Sequence, residues 1–167
     1  MLTQGRLMEV LDCDPEIGEF YWKIQPGSRS DLVGRRAGYN GPKGYRSIWI
    51  DGEGYLVHRL IWLYVHGKFP SEQIDHINLN RSDNRIENLR EATCKQNMRN
   101  KKGERSKKYG VGLKGAQWNH RDKRWVAQAA LDNGKTTYLG SFDTEAEAHK
   151  AYCKAAKKCY GDFFNAG

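Results

Sequence analysis

Apolar positions along this chain recur at two spacings, and turn residues mark each change between them. Near the start Leu7, Val10 and Leu11 repeat at helical spacing, which predicts a helix over 3–11. Asp14-Pro15-Glu16-Ile17-Gly18 is turn chemistry, and Glu19-Phe20-Tyr21-Trp22 reads as a strand. After a glycine-punctuated stretch at 27–44, runs at 45–50 and 55–57 flank Asp51-Gly52-Glu53-Gly54 and predict a hairpin. Residues 58–66 read as a buried helix built on Leu60, Ile61, Leu63, Tyr64 and Val65, closed by Gly67 and Pro70.

Next come Gln73-Ile74-Asp75-His76-Ile77, an asparagine-rich loop, and Ile86-Glu87-Asn88-Leu89-Arg90. Thr93-Cys94-Lys95-Gln96 has the T-x-x-Q spacing of a capping box, so a helix is expected to open there. The charged, glycine-bearing stretch 100–108 cannot extend it far and reads as a linker. The C-terminal third changes character. Strands are expected over 116–118, 125–131 and 136–142, with Asp132-Asn133-Gly134-Lys135 as the turn between the last two. A second capping box, Thr144-Glu145-Ala146-Glu147, opens a helix that ends near Gly161. Its expected apolar stripe is Ala148, Ala151, Tyr152, Ala155 and Cys159, set against Trp125, Ala127 and Ala129 of the sheet.

Composition narrows the class. The chain has 167 residues, and 38% of them are hydrophobic, enough for small cores only. No apolar run approaches the roughly 18 residues that a membrane span needs. The start lacks the layout of a secretion signal, and the four cysteines form no C-x-x-C pair. A soluble protein of the cytoplasm, with no membrane partner, is the expectation. The net charge of +8 is uneven: 95–124 holds eleven Lys and Arg against Glu104 and Asp122, a local +9. Such a stripe is the footprint of a polyanion partner. Trp22, Lys23, Arg29, Arg35, Arg36, Lys43 and Arg46 add candidate phosphate contacts in the N-terminal region.

Asp75-His76 followed by Asn84, Asn88 and Asn97 is the most informative set. Phosphodiester cleavage needs a hard cation on oxygen ligands and a base that titrates near neutrality. Asp75 and Asn97 can supply oxygens, His76 the base, and a loop asparagine can tie the loop ends to backbone groups. Neighbours on a regular strand point to opposite faces, so Asp75 and His76 reach one phosphate only if the strand ends or bends there.

Residues 58–100, from His58-Arg59-Leu60 through Asp75-His76 and Asn84-Arg85-Ile86-Glu87-Asn88-Leu89-Arg90 to Gln96-Asn97-Met98-Arg99-Asn100, resemble an HNH endonuclease of the bacteriophage homing type. The resemblance implies a ββα-metal fold with Asp75-His76 on the first strand and Asn97 on the helix. It implies that His76 activates water, that Asn88 braces the loop and orients His76, and that Asp75 and Asn97 hold one divalent metal. With asparagine rather than histidine at position 97, magnesium or manganese is favoured over zinc.

Residues 109–165 resemble the DNA-binding domain of plant Apetala and ethylene-response factors. The matching words are Lys123-Arg124-Trp125-Val126-Ala127, Tyr138-Leu139-Gly140-Ser141-Phe142-Asp143-Thr144, Glu145-Ala146-Glu147-Ala148-His149-Lys150-Ala151-Tyr152 and Phe164-Asn165. That family lays a three-stranded sheet in the DNA major groove. Carried over by position, the groove-facing set is Lys114, Gln117, Asn119, Gln128, Ala130, Thr136 and Tyr138, with Arg121 and Arg124 near the first turn. Plant members carry arginine or tryptophan at several of these positions, so their target sequence does not transfer. Arg99, Lys101, Lys102, Lys107 and Lys108 are the expected backbone contacts beside that module.

The expected fold is α+β: an HNH core (58–100) preceded by a small β-rich, DNA-contacting region (1–57). A basic linker (101–108) then leads to a three-stranded antiparallel sheet packed on one helix (109–167). The expected function is a metal-dependent endonuclease acting on double-stranded DNA, as a monomer with a dimer left open, by nick or double-strand break. The alternative is a non-catalytic DNA-binding or regulatory protein with a decayed HNH core.

Overall fold

The computed structural model describes residues 1–25, 27, 30–101, 112–131 and 135–167. Arg29, the expected contacts Lys102, Lys107 and Lys108, and the expected turn at 132–134 lie outside the described residues. The chain falls into two compact units, Met1–Cys94 and Lys95–Gly167.

The first unit opens with α1 (Gln4–Val10), whose N-terminus is capped by Thr3 accepting from the Arg6 amide at 3.2 Å. The helix passes without a loop into β1 (Leu11–Asp14), which pairs antiparallel with β2 (Glu19–Trp22). Leu11, assigned to the helix by its spacing, is the first residue of that strand. The β1–β2 turn ends at Gly18, where φ is +77° and a Cβ would stand 2.4 Å from the backbone of Asn84 and Arg85. Glycine is required there twice over, for its left-handed backbone and for the close approach.

A three-stranded sheet follows in the order β3 (Tyr39–Asn40), β4 (Arg46–Ile50), β5 (Glu53–Leu56). Its β4–β5 turn is the two residues Asp51-Gly52, with φ of +50° and +82°, the combination a type I′ hairpin uses. β4 alternates strictly, with Arg46, Ile48 and Ile50 buried. Arg46 therefore corrects one expectation: it is no surface phosphate contact but a buried side chain donating to the Ala37 carbonyl at 3.0 Å. Burial, with Arg36 adding, lowers its pKa. Lys23 is tied to the Met8 carbonyl at 3.0 Å, and Arg36 pairs with Glu19.

β5 runs straight into α2 (Val57–His66), ended by Gly67 in the left-handed conformation. Leu60, Ile61 and Leu63 join Leu7, Leu11, Phe20 and Ile48 as fully buried side chains of one core. Val65 is 41% exposed and is not part of the buried face. The short antiparallel pair β6 (Gln73–His76) and β7 (Leu89–Ala92) comes next, followed along the chain by α3 (Cys94–Asn100).

The second unit has strand order β10–β9–β8, from β8 (Ala116–Asn119), β9 (Arg124–Ala130) and β10 (Thr136–Phe142). α4 (Glu145–Tyr160) packs on this sheet behind the capping box of Thr144 and Glu147. Ala127 and Ala129 are buried against it. The buried line on α4 is Ala148, Tyr152, Ala156 and Tyr160, a straight i+4 row, while Ala151, Ala155 and Cys159 sit half-buried beside it. Two tyrosines set that phase: the Tyr160 hydroxyl donates to the Ala130 carbonyl at 2.7 Å, and Tyr152 lies where Gly115 has no Cβ. In this unit Arg99 of α3 stands 4.3 Å over the Tyr160 ring, and Asn100 accepts from Asn165 at 3.3 Å.

Candidate functional site

The last residues of β6 build the site. In the β6–β7 register Asp75 faces Arg90 and His76 faces Leu89. The Asp75 carboxylate accepts from Arg90 Nε at 2.9 Å and Nη2 at 2.7 Å through Oδ2. Asp75 is 4% exposed, so this is a buried ion pair held in a two-pronged guanidinium grip. The adjacent His76 turns to other partners, as strand alternation requires.

His76 Nε2 lies 3.0 Å from Asn84 Oδ1. The Asn84 Nδ2 group donates to the Ser82 carbonyl at 3.4 Å, which fixes the amide with its oxygen toward the ring. An oxygen only accepts, so the proton of a neutral His76 sits on Nε2 and the lone pair on Nδ1. Burial pushes the His76 pKa below its ordinary value, opposed in part by the Asn84 hydrogen bond and by Asp75. The ring is thus held neutral and in one tautomer, the state a general base requires.

Two further rings complete its surroundings. His58, in the first turn of α2, meets His76 edge to face with centroids 5.1 Å apart. Tyr45 lies 5.4 Å from His58 and 6.1 Å from His76. His58 is buried, and its Nδ1 has no hydrogen-bond partner. Burial, with His76 and Arg59 adding, pushes its pKa down to about 3. Arg81 stacks on the outer side of Tyr45 at 4.9 Å and donates to the Lys43 carbonyl at 3.0 Å, pinning the loop to the segment before β4.

The loop between β6 and β7 is braced from within by Asn88. Its Oδ1 accepts from the Asn78 amide at 3.0 Å, and its Nδ2 donates to Asn78 Oδ1 at 3.0 Å and to the Asp83 carbonyl at 2.8 Å. Asp83 is gripped by Arg85 and Asn78, which hold its carboxyl at about 2. From outside the loop, the Ile86 amide donates to the Pro15 carbonyl at 2.9 Å.

Asp75, His76 and Asn88 come together in the first unit, whereas Asn97 stands on α3 in the second. Asn88 spans the loop ends, and the side chain bonded to the His76 ring is Asn84. The ring neighbours His58 and Tyr45 carry little sequence signal. His58 is marked as the polar residue that opens an apolar helix and as the first residue of the HNH resemblance, with no partner assigned to it, and nothing marks Tyr45. Among the described residues no group of three or more His, Cys, Asp and Glu stands placed to hold a metal ion.

In the second unit the expected groove set separates. Gln117, Gln128, Ala130, Thr136 and Tyr138 are exposed. Lys114 is not on that face: its Nζ donates to the carbonyls of Arg99, Lys101 and Asn165 at 3.1, 2.7 and 2.9 Å. Asn119 closes the β8–β9 turn, donating to Asp122 at 2.8 Å and accepting from the Arg121 amide at 3.0 Å. Arg124 pairs with Asp143 at 2.7 Å and Arg121 with Asp122 at 3.1 Å, both at the surface.

The profile of one protein family, described as HNH endonuclease, matches residues 55–99. A protein of Acanthamoeba polyphaga mimivirus named as an uncharacterized HNH endonuclease is 32% identical over 134 residues, covering 79% of this chain and 67% of that protein. No solved structure matches significantly. Among the described residues no helix is long and apolar enough to cross a membrane.

Proposed function

We propose, since the chain belongs to the HNH endonuclease family, that it is a metal-dependent endonuclease of the homing type, cutting double-stranded DNA under the guidance of its second unit. The observation that carries this reading is the fixed tautomer of His76. Its Nε2 lies against the Asn84 amide oxygen, which puts the proton of the neutral ring on that side and makes Nδ1 the basic nitrogen. His76 Nδ1 takes a proton from water, and the oxygen of that water attacks phosphorus as the bond to the leaving 3′-oxygen breaks. Asn84 holds the ring through the step, and Asn88 holds the loop that carries Asn84.

The donor chemistry fits a hard divalent cation. Asp75 offers a carboxylate and Asn97 an amide oxygen, the ligand types that magnesium and manganese take. In the first unit Asp75 would hold the ion. When bound, such an ion supplies charge to offset that of the leaving oxygen. Arg90 orients the Asp75 carboxylate through its ion pair.

The second unit carries sixteen Lys and Arg against seven Asp and Glu, a net +9, while the first nets −1. This supports a division in which the second unit, with the sheet-and-helix module, grips DNA and the first performs hydrolysis. The test is a supercoiled-plasmid assay with magnesium. The wild-type chain relaxes or linearises plasmid, and His76→Ala loses at least about a hundredfold in rate while retarding DNA in a gel as before. Full cleavage by His76→Ala sinks the assignment, and retardation without cleavage by the wild type makes the chain a DNA binder alone.

A further inference from the structure

The sheet of the second unit gives one face to α4 and turns the other outward. On the outward face the strand register sets three cross-strand rows: Gln117, Val126 and Ser141, then Gln128 and Tyr138, then Ala130 and Thr136. The first two rows line a shallow concavity of about 540 Å³. A bulge at Leu139 keeps Tyr138 outward while Leu139 packs into the core.

What these rows lack is as informative as what they hold. Of the basic side chains expected on this face, Lys114 is held by three carbonyls, while Arg124 and Arg121 pair with Asp143 and Asp122 at the surface, outside the three rows. Asn119 is consumed by its turn. Among the described residues the side-chain amides of Gln117 and Gln128 make no hydrogen bond within the protein. The rows therefore offer two amides with both donor and acceptor available, hydroxyls, and the methyl groups of Ala130 and Thr136.

This chemistry discriminates between base pairs. A glutamine amide matches the N6 donor and N7 acceptor of adenine in the major groove, and small methyl groups pack on the thymine methyl. Guanine presents two acceptors there and is read best by arginine or lysine, which these rows do not present. The +9 charge of the unit draws in phosphates of any sequence, leaving selection to the sheet face. We propose that the outward face of this sheet selects A·T-rich duplex DNA, with Gln117 and Gln128 reading adenine and Ala130 and Thr136 packing on thymine methyls. The inference rests on the reading that this sheet meets DNA.

The test is equilibrium binding of the full chain, in a metal chelator so that nothing is cut, to short duplexes of equal length. An A·T-rich duplex is expected to bind at least about tenfold tighter than a G·C-rich one. Gln117→Leu and Gln128→Leu are each expected to cut that preference about fivefold or more and to leave the salt dependence unchanged, because no phosphate contact is lost. Gln128→Arg moves the preference toward G·C. Equal binding to both duplexes, or a G·C preference in the wild type, overturns the inference and leaves the nuclease reading standing. A preference that survives both leucine variants also overturns it, since DNA shape would then be the source. Failure to bind any duplex overturns both this inference and the DNA-guiding part of the proposed function.

Discussion

The two units treat polar side chains in opposite ways. The first buries Arg46, His58, Asp75, His76, Asn84 and Asn88, while among the described residues of the second only Asn100 is both polar and buried. Burying a polar group without partners costs about 1–3 kcal/mol, and Arg46, Asp75, His76, Asn84 and Asn88 each have a partner fixed in place, while His58 Nδ1 has none. On the proposed function, the first unit is the one whose geometry is set before substrate arrives. The second keeps a core of alanines and tyrosines and leaves the amides of Gln117 and Gln128 in water, where they can adapt to a partner. Fixed polarity suits bond breaking, and solvated polarity suits recognition.

Substitutions can break this contrast at either end. The largest effect is expected at Arg90→Met, which leaves the buried Asp75 carboxylate without its ion-pair partner and costs about 3–5 kcal/mol in chemical denaturation. A loss below 1 kcal/mol would mean that the pair behaves like a surface one. Next is the pH profile. Unfolded His58 binds a proton near 6.5, and folded His58 only near 3, so the unfolded state holds more protons between those values. Stability is therefore full above pH 6.5 and falls as pH drops toward 3, by about 3 kcal/mol at pH 4.5, with His76 adding in the same direction. Thermal melts across this range should flatten in His58→Phe, and an unchanged slope would remove His58 as the cause.

Asn88→Ala severs three loop hydrogen bonds and is expected to cost about 2 kcal/mol, read by urea unfolding, together with a fall in cleavage rate. The smallest effect belongs to the second unit. Arg124→Met removes an ion pair of similar length to that of Arg90, yet at the surface, and should change stability by less than about 1 kcal/mol. A loss there as large as at Arg90 would erase the distinction between the units.

How much of this was legible depends on how local the cause is. The capping box at Thr144 and Glu147 and the hairpin at Asp51-Gly52 are decided within four residues, and the sequence locates both, though it makes the turn two residues too long because Glu53 and Gly54 belong to β5. The phase of α4 was missed because Tyr152 and Tyr160 choose it through contacts with Gly115 and Ala130, far away in the chain. Lys114 looked like a groove contact because charge was its only visible property, and its three carbonyl partners arrive from 13, 15 and 51 residues away. The loop asparagines were legible as a set. Which of them meets His76 depends on a fold-back that no local pattern encodes.

That fold-back has a consequence for how far the protein can be cut down. Gly18 lies against the backbone of Asn84, and Pro15 holds Ile86, so the stretch that positions His76 is propped by a hairpin more than sixty residues upstream. The segment 55–99 that carries the family signature contains neither that prop nor Leu7, Leu11, Phe20 and Ile48 of its own core. A minimal nuclease trimmed to the signature would thus keep its chemical groups and lose their alignment. On the proposed reading the N-terminal hairpin belongs to the cutting machinery in the sense that a jig belongs to a lathe: it sets the tolerance.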